Sequence, residues 1–213
     1  MKHIDLFSGI GGFSVGFERE GIETVAFVES DPGCCAVLQS RWPAVPIWGD
    51  IRDLSGLPVP RPVGSWATNR SIWLSELADV RPHWVVVENS FHTWRRWVPE
   101  LRGQLWAIGY ASVCLRVRAS ELGARHARAR AFVVANADCE QLRELSRWWG
   151  REGREVAKEL AGAGDYSPGA VGAPYGLPNG PHRRHALGNA VYPPAAQIIA
   201  RGINAVTSGE RTS

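Results

Sequence analysis

From residue 3 to about residue 135, short apolar runs alternate with stretches of helical period. The runs HIDLF (3–7), TVAFVE (24–29), WVVVE (84–88), ASVCLRV (111–117) and AFVVA (131–135) are rich in branched residues and read as strands. Helical patterns lie between them near 13–20, 33–41, 71–79 and 95–107. Strands that are nearly continuous in apolar character, separated by helices, predict an α/β fold: a mostly parallel sheet with helices on both faces. From about 137 the texture changes. CEQLRELSRWWGREGREVAKEL reads as one charged amphipathic helix with Leu142, Leu145, Trp149, Val156 and Leu160 as its apolar stripe. A Gly/Pro-rich loop follows, and YPPAAQIIARGINAV restores a helix with prolines in its first turn.

In such a sheet, ligands bind where strands deliver their carboxyl ends. The run at 84–88 ends on Glu88 and Asn89, which places an acid at the mouth of a site. The competing reading is that Glu88 caps the next helix or pairs with an arginine such as Arg95 or Arg96. The first strand runs into SGIGGF, with Gly9, Gly11 and Gly12 between strand and helix. Glycines there permit a tight turn and close approach of a ligand to backbone N–H groups. The second strand ends on Glu29, placed to accept from ribose hydroxyls. In WGDIRDL, Asp50 is placed to accept from an adenine amino group while Ile51 covers a base face. Each acid alone is an ordinary strand end; in this order they describe a cofactor containing a nucleoside.

Bulk properties narrow the class without deciding it. The chain has 213 residues, is 45% hydrophobic and 21% charged, and carries a net charge of +3, which permits a polyanionic partner without requiring one. Four cysteines, at 34, 35, 114 and 139, show no CxxC spacing; they predict reduced thiols in a cytoplasm and no metal site. No run approaches the roughly 18 apolar residues of a membrane span. Ten tryptophans are many; they predict core filling, with Trp94, Trp97, Trp148 and Trp149 as candidates for a contact with a partner protein or a second copy.

DLFSGIGGFSVGFE, VESD, GDI, VVVEN, ARHARARAFVVA and ALGNAVYPPAAQIIARGI follow one another as do blocks of the DNA cytosine-C5 methyltransferase family, which the chain resembles from residue 3 to about 203. The resemblance implies a class I S-adenosylmethionine-dependent methyltransferase fold of Rossmann-like type, S-adenosyl-L-methionine as cofactor and cytosine in DNA as acceptor. By position, it implies that Phe7, Gly9 and Gly11 cradle the methionine part of the cofactor. Glu29 would hold the ribose, Asp50 and Ile51 the adenine, and Trp73 an apolar flank, while Asn189 and Val191 close the pocket from the C-terminal side. Glu88 matches the glutamate that binds the polar edge of the flipped base, and Arg128 and Arg130 match the Arg-x-Arg that positions it. A protonated glutamate at a dry strand end would donate to the ring nitrogen and make the ring more electrophilic.

Two blocks depart from the pattern. The family's thiolate nucleophile lies in a Pro-Cys-Gln loop between the GDI and EN blocks; here RDLSGLPVPRPVGSWATNRSIWLSELADVRPHW contains no cysteine. None of the four thiols is a good substitute; Cys139 is the candidate for approaching the pocket. The target-recognition domain is also reduced. Residues 1–136 and 186–206 are expected to form the cofactor-binding unit, with 137–185 as a short inserted helix and loop in its place. Arg143, Arg147, Arg151 and Arg154 are spaced to touch phosphates or, with the interspersed glutamates, to form a salt-bridged solvent face. Three functions follow: DNA-directed methyl transfer with a non-standard catalytic group, a cofactor- and DNA-binding subunit without catalysis, or transfer to another acceptor with His92 as base.

Overall fold

The computed structural model describes residues 1–54, 63–67, 73–163 and 190–209, with backbone alone at 54, 63–67 and 73–76. Strands β1 (Lys2–Leu6), β2 (Glu23–Val28), β3 (Ile47–Trp48), β4 (Val63–Ala67), β5 (Trp84–Ser90), β6 (Ala111–Arg118) and β7 (Ala129–Asn136) form one sheet in the order β3-β2-β1-β4-β5-β7-β6. The pairs β1–β2, β1–β4, β2–β3 and β4–β5 are parallel, and β7 runs antiparallel between β5 and β6. The predicted sheet is therefore present, with two strands the apolar pattern did not reveal. β3 is too short to show a period, and β4, VGSWA, interrupts its apolar run with Gly64 and Ser65.

Alternation along the strands divides the core in two. On one face, Trp84 and Val86 of β5 and Phe132 and Val134 of β7 join Phe13 and Phe17. On the other, Val85, Val87, Ala131, Val133 and Ala135 meet Leu77, Trp97, Val98, Leu101 and Leu105. The first face is covered by helices α1 (Gly12–Glu18), α5 (Cys139–Arg151), α6 (Gly153–Gly162) and α7 (Pro193–Thr207). The second is covered by α3 (Trp73–Val80) and α4 (Trp94–Ala107), and α2 (Pro32–Arg41) packs beside the glycine turn.

Two helices replace the single charged helix expected at 137–160. The break falls at Glu152, just before Gly153. The apolar stripe is as expected: Leu142, Leu145 and Leu160 are buried and Trp149 and Val156 pack partly buried against the core, which Trp148 also enters. Trp97 and Trp148 are both buried, so neither is available as the partner contact expected of them.

Helix α7 returns from the end of the chain to lie against α1. A Cβ on Gly12 would collide with the Val191 carbonyl, and one on Gly16 would stand 2.7 Å from the Ala196 Cβ. These glycines, one helical turn apart, let the two backbones approach. Glu20, just beyond α1, clamps the seam: its carboxylate takes a forked pair from Arg201 at 3.1 and 2.9 Å and a hydrogen bond from Gln197 at 2.7 Å.

Candidate active site

β1, β2 and β5 deliver their carboxyl ends to one edge of the sheet, and the expected residues that are described gather along it. At the β1–α1 turn, Phe7, Gly9 and Gly11 take φ of 55, 54 and 82°. Phe7 is not a glycine, so it is held in the left-handed region at a cost. A buried clamp fixes the turn: the Ser14 hydroxyl donates to Asp5 Oδ2 at 2.8 Å, and the Ser8 hydroxyl donates to the Asp5 carbonyl at 2.6 Å. Sequence reasoning passed over Asp5, Ser8 and Ser14; a polar residue facing the core inside an apolar strand was the available signal.

Glu29 stands opposite this turn. Its Oε2 accepts the Gly9 N–H at 2.7 Å and its Oε1 accepts the Asp31 N–H at 2.8 Å. Each carboxylate oxygen retains accepting capacity for a hydroxyl. An added Cβ at Gly9 would meet no atom within 4 Å, so space is open beside Glu29, whereas one at Gly11 would strike the Trp42 ring at 2.6 Å. The turn is thus open and lined by an acid with accepting capacity to spare.

The adenine side is arranged differently from the expectation. Asp50 is gripped by its neighbour Arg52, whose Nε and backbone N–H both donate to Oδ1 at 2.9 Å and whose Nη2 pairs with Oδ2. These bonds hold the Asp50 carboxyl down at about 2. Ile51 is packed in the core at 4% exposure. Val191 reaches the turn through its carbonyl, which lies against Gly12. Trp73 opens α3, with only its backbone described, and Asn189 lies outside the described residues.

Glu88, at 3% exposure, occupies the carboxyl end of β5 and faces the side of the sheet covered by α1 and α7. Arg130 Nε lies 2.6 Å from its Oε1, yet that oxygen has no directed hydrogen bond: the guanidinium is close but poorly aimed, and we treat the contact as an ion pair. Burial pushes the Glu88 carboxyl up to about 7, against the lowering charges of Arg130 and Arg128. Arg128 is itself lowered by burial and by the charge of Arg130. The sequence-level alternative for Glu88, a pairing with Arg95 or Arg96, does not occur; the partner is Arg130, from the neighbouring strand.

No thiol accompanies Glu88. Cys34 is buried in α2, and burial, with the charges of Glu29 and Asp31, pushes it up to about 12. Cys35 Sγ donates to the Glu29 carbonyl at 3.2 Å. Cys114 pairs with Val133, which pairs with Val87, so it faces the other side of the sheet. Cys139 follows Asn136, the partner of Trp84 at the start of β5, and is therefore at the opposite edge. Cys139 thus does not approach the pocket, in keeping with the expectation that none of the four thiols is a good substitute, because β7 runs antiparallel and carries its end away from the mouth. His92 is exposed on the turn after β5. Among the described residues no group of acids, histidines and cysteines could hold a metal, and no helix is long and apolar enough to cross a membrane.

Comparison with known proteins places this geometry. Residues 1–61 match the family model for C-5 cytosine-specific DNA methylase. Over 55 residues the chain is 46% identical to the type II methyltransferase M.AquIA of Picosynechococcus sp., a stretch covering 25% of this chain and 22% of that protein. Over 58 residues it is 45% identical to M2.BsuMI of Bacillus subtilis, covering 27% and 15%. The chain's match thus spans about a fifth of these relatives' length or less. The structure superposes on the S. pombe Dnmt2 methyltransferase with a TM-score of 0.53 at 18% identity, covering 64% of this chain and 49% of that one. It superposes on the Spodoptera frugiperda DNMT2 with a TM-score of 0.52 at 18% identity, covering 63% and 49%. The chain has the class I, Rossmann-like fold of S-adenosylmethionine-dependent methyltransferases, and its first 61 residues are similar to the C-5 cytosine-specific DNA methylases.

Proposed function

We propose that the chain binds S-adenosyl-L-methionine between the glycine turn and Glu29 and directs methyl transfer to a base of DNA held at Glu88, by a route that does not use the family's thiolate. The supporting observation is the state of Glu88: a carboxyl lifted to about 7 by burial carries a proton for much of the time near neutral pH, and so can donate to a ring nitrogen while its other oxygen accepts from an amine. Glu29 would hold the ribose, the open space at Gly9 would admit the attached chain, and Asp50 would take the adenine amino group once Arg52 yields. Trp73, Asn189 and Val191 complete the pocket in this reading. Arg130 and Arg128 keep positive charge beside the acid and would hold the target nucleotide through its phosphate. The bound cofactor would supply an electrophilic methyl group. Residues 1–136 with 186–206 form the cofactor-binding unit in this reading, and 137–185 stand where a recognition domain would be.

A second reading, a cofactor- and DNA-binding subunit without catalysis of its own, is favoured by the distribution of the cysteines: Cys34 and Cys35 stand beside Glu29, Cys114 faces the other side of the sheet and Cys139 lies at the opposite edge. Transfer to another acceptor, with the exposed His92 as base, is the third. Three measurements separate them. Calorimetry with S-adenosylhomocysteine is expected to give micromolar binding, about −8 kcal/mol; absence of heat and of thermal shift removes all three readings together. A duplex containing 5-fluorocytosine is expected to form no covalent adduct with the chain alone. Labelled methyl on DNA without an adduct supports the first reading, binding without transfer the second, and label on another acceptor alone the third.

A further inference from the structure

We propose that the groove between helix α4 and edge strand β6 binds a nucleic-acid strand, with its phosphodiester backbone on Arg95, Arg102 and Arg116 and a base on Trp106. The inference names a second contact surface for the nucleic-acid partner and rests on that part of the reading above. Among the described residues β6 is the last strand of the sheet, and one side of it has no neighbouring strand. On α4, residues 95, 99, 102 and 106 fall on one stripe by the helical period, and Arg102 ties that stripe to β6 by donating to the Ser112 hydroxyl and carbonyl at 3.1 and 3.0 Å. Below this tie a cavity of about 310 Å³ opens between Arg102, Gly103, Trp106, Tyr110, Ala111 and Ser112. Trp106 is 72% exposed beside it, an unusual exposure for an indole.

The charge of the groove points to its occupant. α4 and β6 together carry five arginines, at 95, 96, 102, 116 and 118, against one acid, Glu100. Among the described residues Arg95, Arg102 and Arg116 have no carboxylate partner. Two are instead held on aromatic faces: Arg95 lies 5.5 Å over Trp94, and Arg116 lies 5.5 Å over Phe91. Phe91 and Trp94 stack on each other at 5.7 Å, so the four side chains make one layered pile at the upper end of the groove. A guanidinium stacked by its face keeps its N–H edges free for phosphate. The arginines of α5 are arranged in the opposite way, with Arg143 and Arg147 paired to Glu140 and Glu144. A peptide strand adding to β6 would meet Arg116 and Arg118 at the edge, charges that guard against such pairing. A cationic groove with an exposed aromatic suits a strand with unpaired bases.

The test is oligonucleotide binding by anisotropy as salt is varied, for a labelled single strand and for the same sequence as a duplex. The wild type is expected to prefer the single strand. R95A/R116A, and the triple variant adding R102A, are expected to weaken it at least about tenfold and to flatten the salt dependence, by about 2 in log–log slope for the triple variant. W106A is expected to cost about fivefold or more for the single strand and little for the duplex. R143A/R147A on α5 is the control and should bind as the wild type. The proposal is overturned if the groove variants, shown folded by their melting, bind like the wild type, if the α5 control loses as much, or if the wild type binds no strand. Calorimetry with S-adenosylhomocysteine on the same proteins separates the two readings. Lost cofactor binding with intact strand binding sinks only the cofactor assignment; methyl transfer with unaffected groove variants sinks only the groove.

Discussion

Two acids stand on the same edge of one sheet and are treated in opposite ways. Glu29, at the end of β2, is received by two backbone N–H groups aimed at separate oxygens. Glu88, near the carboxyl end of β5, is buried with a guanidinium that is near but misaligned, and one of its oxygens has no directed donor. A carboxylate met by fixed backbone donors is a ready acceptor, which suits a hydroxyl of a ligand. A carboxyl under-supplied with donors in a dry place retains its proton, which suits an acid. The difference lies in what faces each strand end: turn N–H groups of Gly9 and Asp31 on one side, the flat pairing of β5 with β7 on the other.

The comparison fails first if the glycine seam is disturbed, because the seam holds the Glu29 side together. Gly16→Val puts a branched side chain against the backbone of residues 193–197 and is expected to cost about 3 kcal/mol, lowering Tm by roughly 6–12 °C in a thermal scan. Next comes the proton on Glu88. Its pKa is raised in the folded chain from an ordinary 4.5 to about 7, so its contribution to stability is full below about 4.5 and is lost as pH rises through 7. The loss is of order 2–3 kcal/mol. Glu88→Gln should remove that fall, so the difference in Tm between pH 4.5 and 8 shrinks in the variant; an unchanged profile would show that Glu88 ionises normally. Glu29→Gln keeps the shape and loses the charge; S-adenosylhomocysteine should bind about tenfold more weakly by calorimetry, with Glu88→Gln near wild type in the same assay. The smallest effect is expected at Arg147→Ala, whose exposed pairs with Glu140 and Glu144 are worth under about 1 kcal/mol by chemical denaturation.

Much of this was legible in the chain and some was not. The branched runs disclosed β1, β2, β5, β6 and β7, because a strand buried on both faces must be apolar throughout. They did not disclose β4, where backbone pairing to β1 and β5 carries a Gly-Ser segment that no local pattern marks. Glu29, Glu88 and the glycine turn were readable because strand ends and tight turns are local features. The grip of Arg52 on Asp50, the burial of Ile51 and the choice of Arg130 over Arg95 as partner of Glu88 depend on side-chain direction, which sequence spacing does not contain. The position of Cys139 required the direction of β7. The even neutralisation of the α5 arginines was foreseeable from Glu–Arg spacing; the bare arginines of α4 and β6 were not, since the two elements become neighbours only in the folded sheet.

The seam between α1 and α7 has a consequence for how the molecule is made. Residues 12–17 leave the ribosome well before 191–203, which cover them, so for most of synthesis Phe13 and Phe17 lack their later neighbours. The nascent chain must therefore keep its first helix soluble for the time needed to add about 175 residues, roughly 10–35 s at about 5–20 residues per second. A chaperone that shelters early apolar segments would have its natural client here, and slow codons late in the message would lengthen the wait.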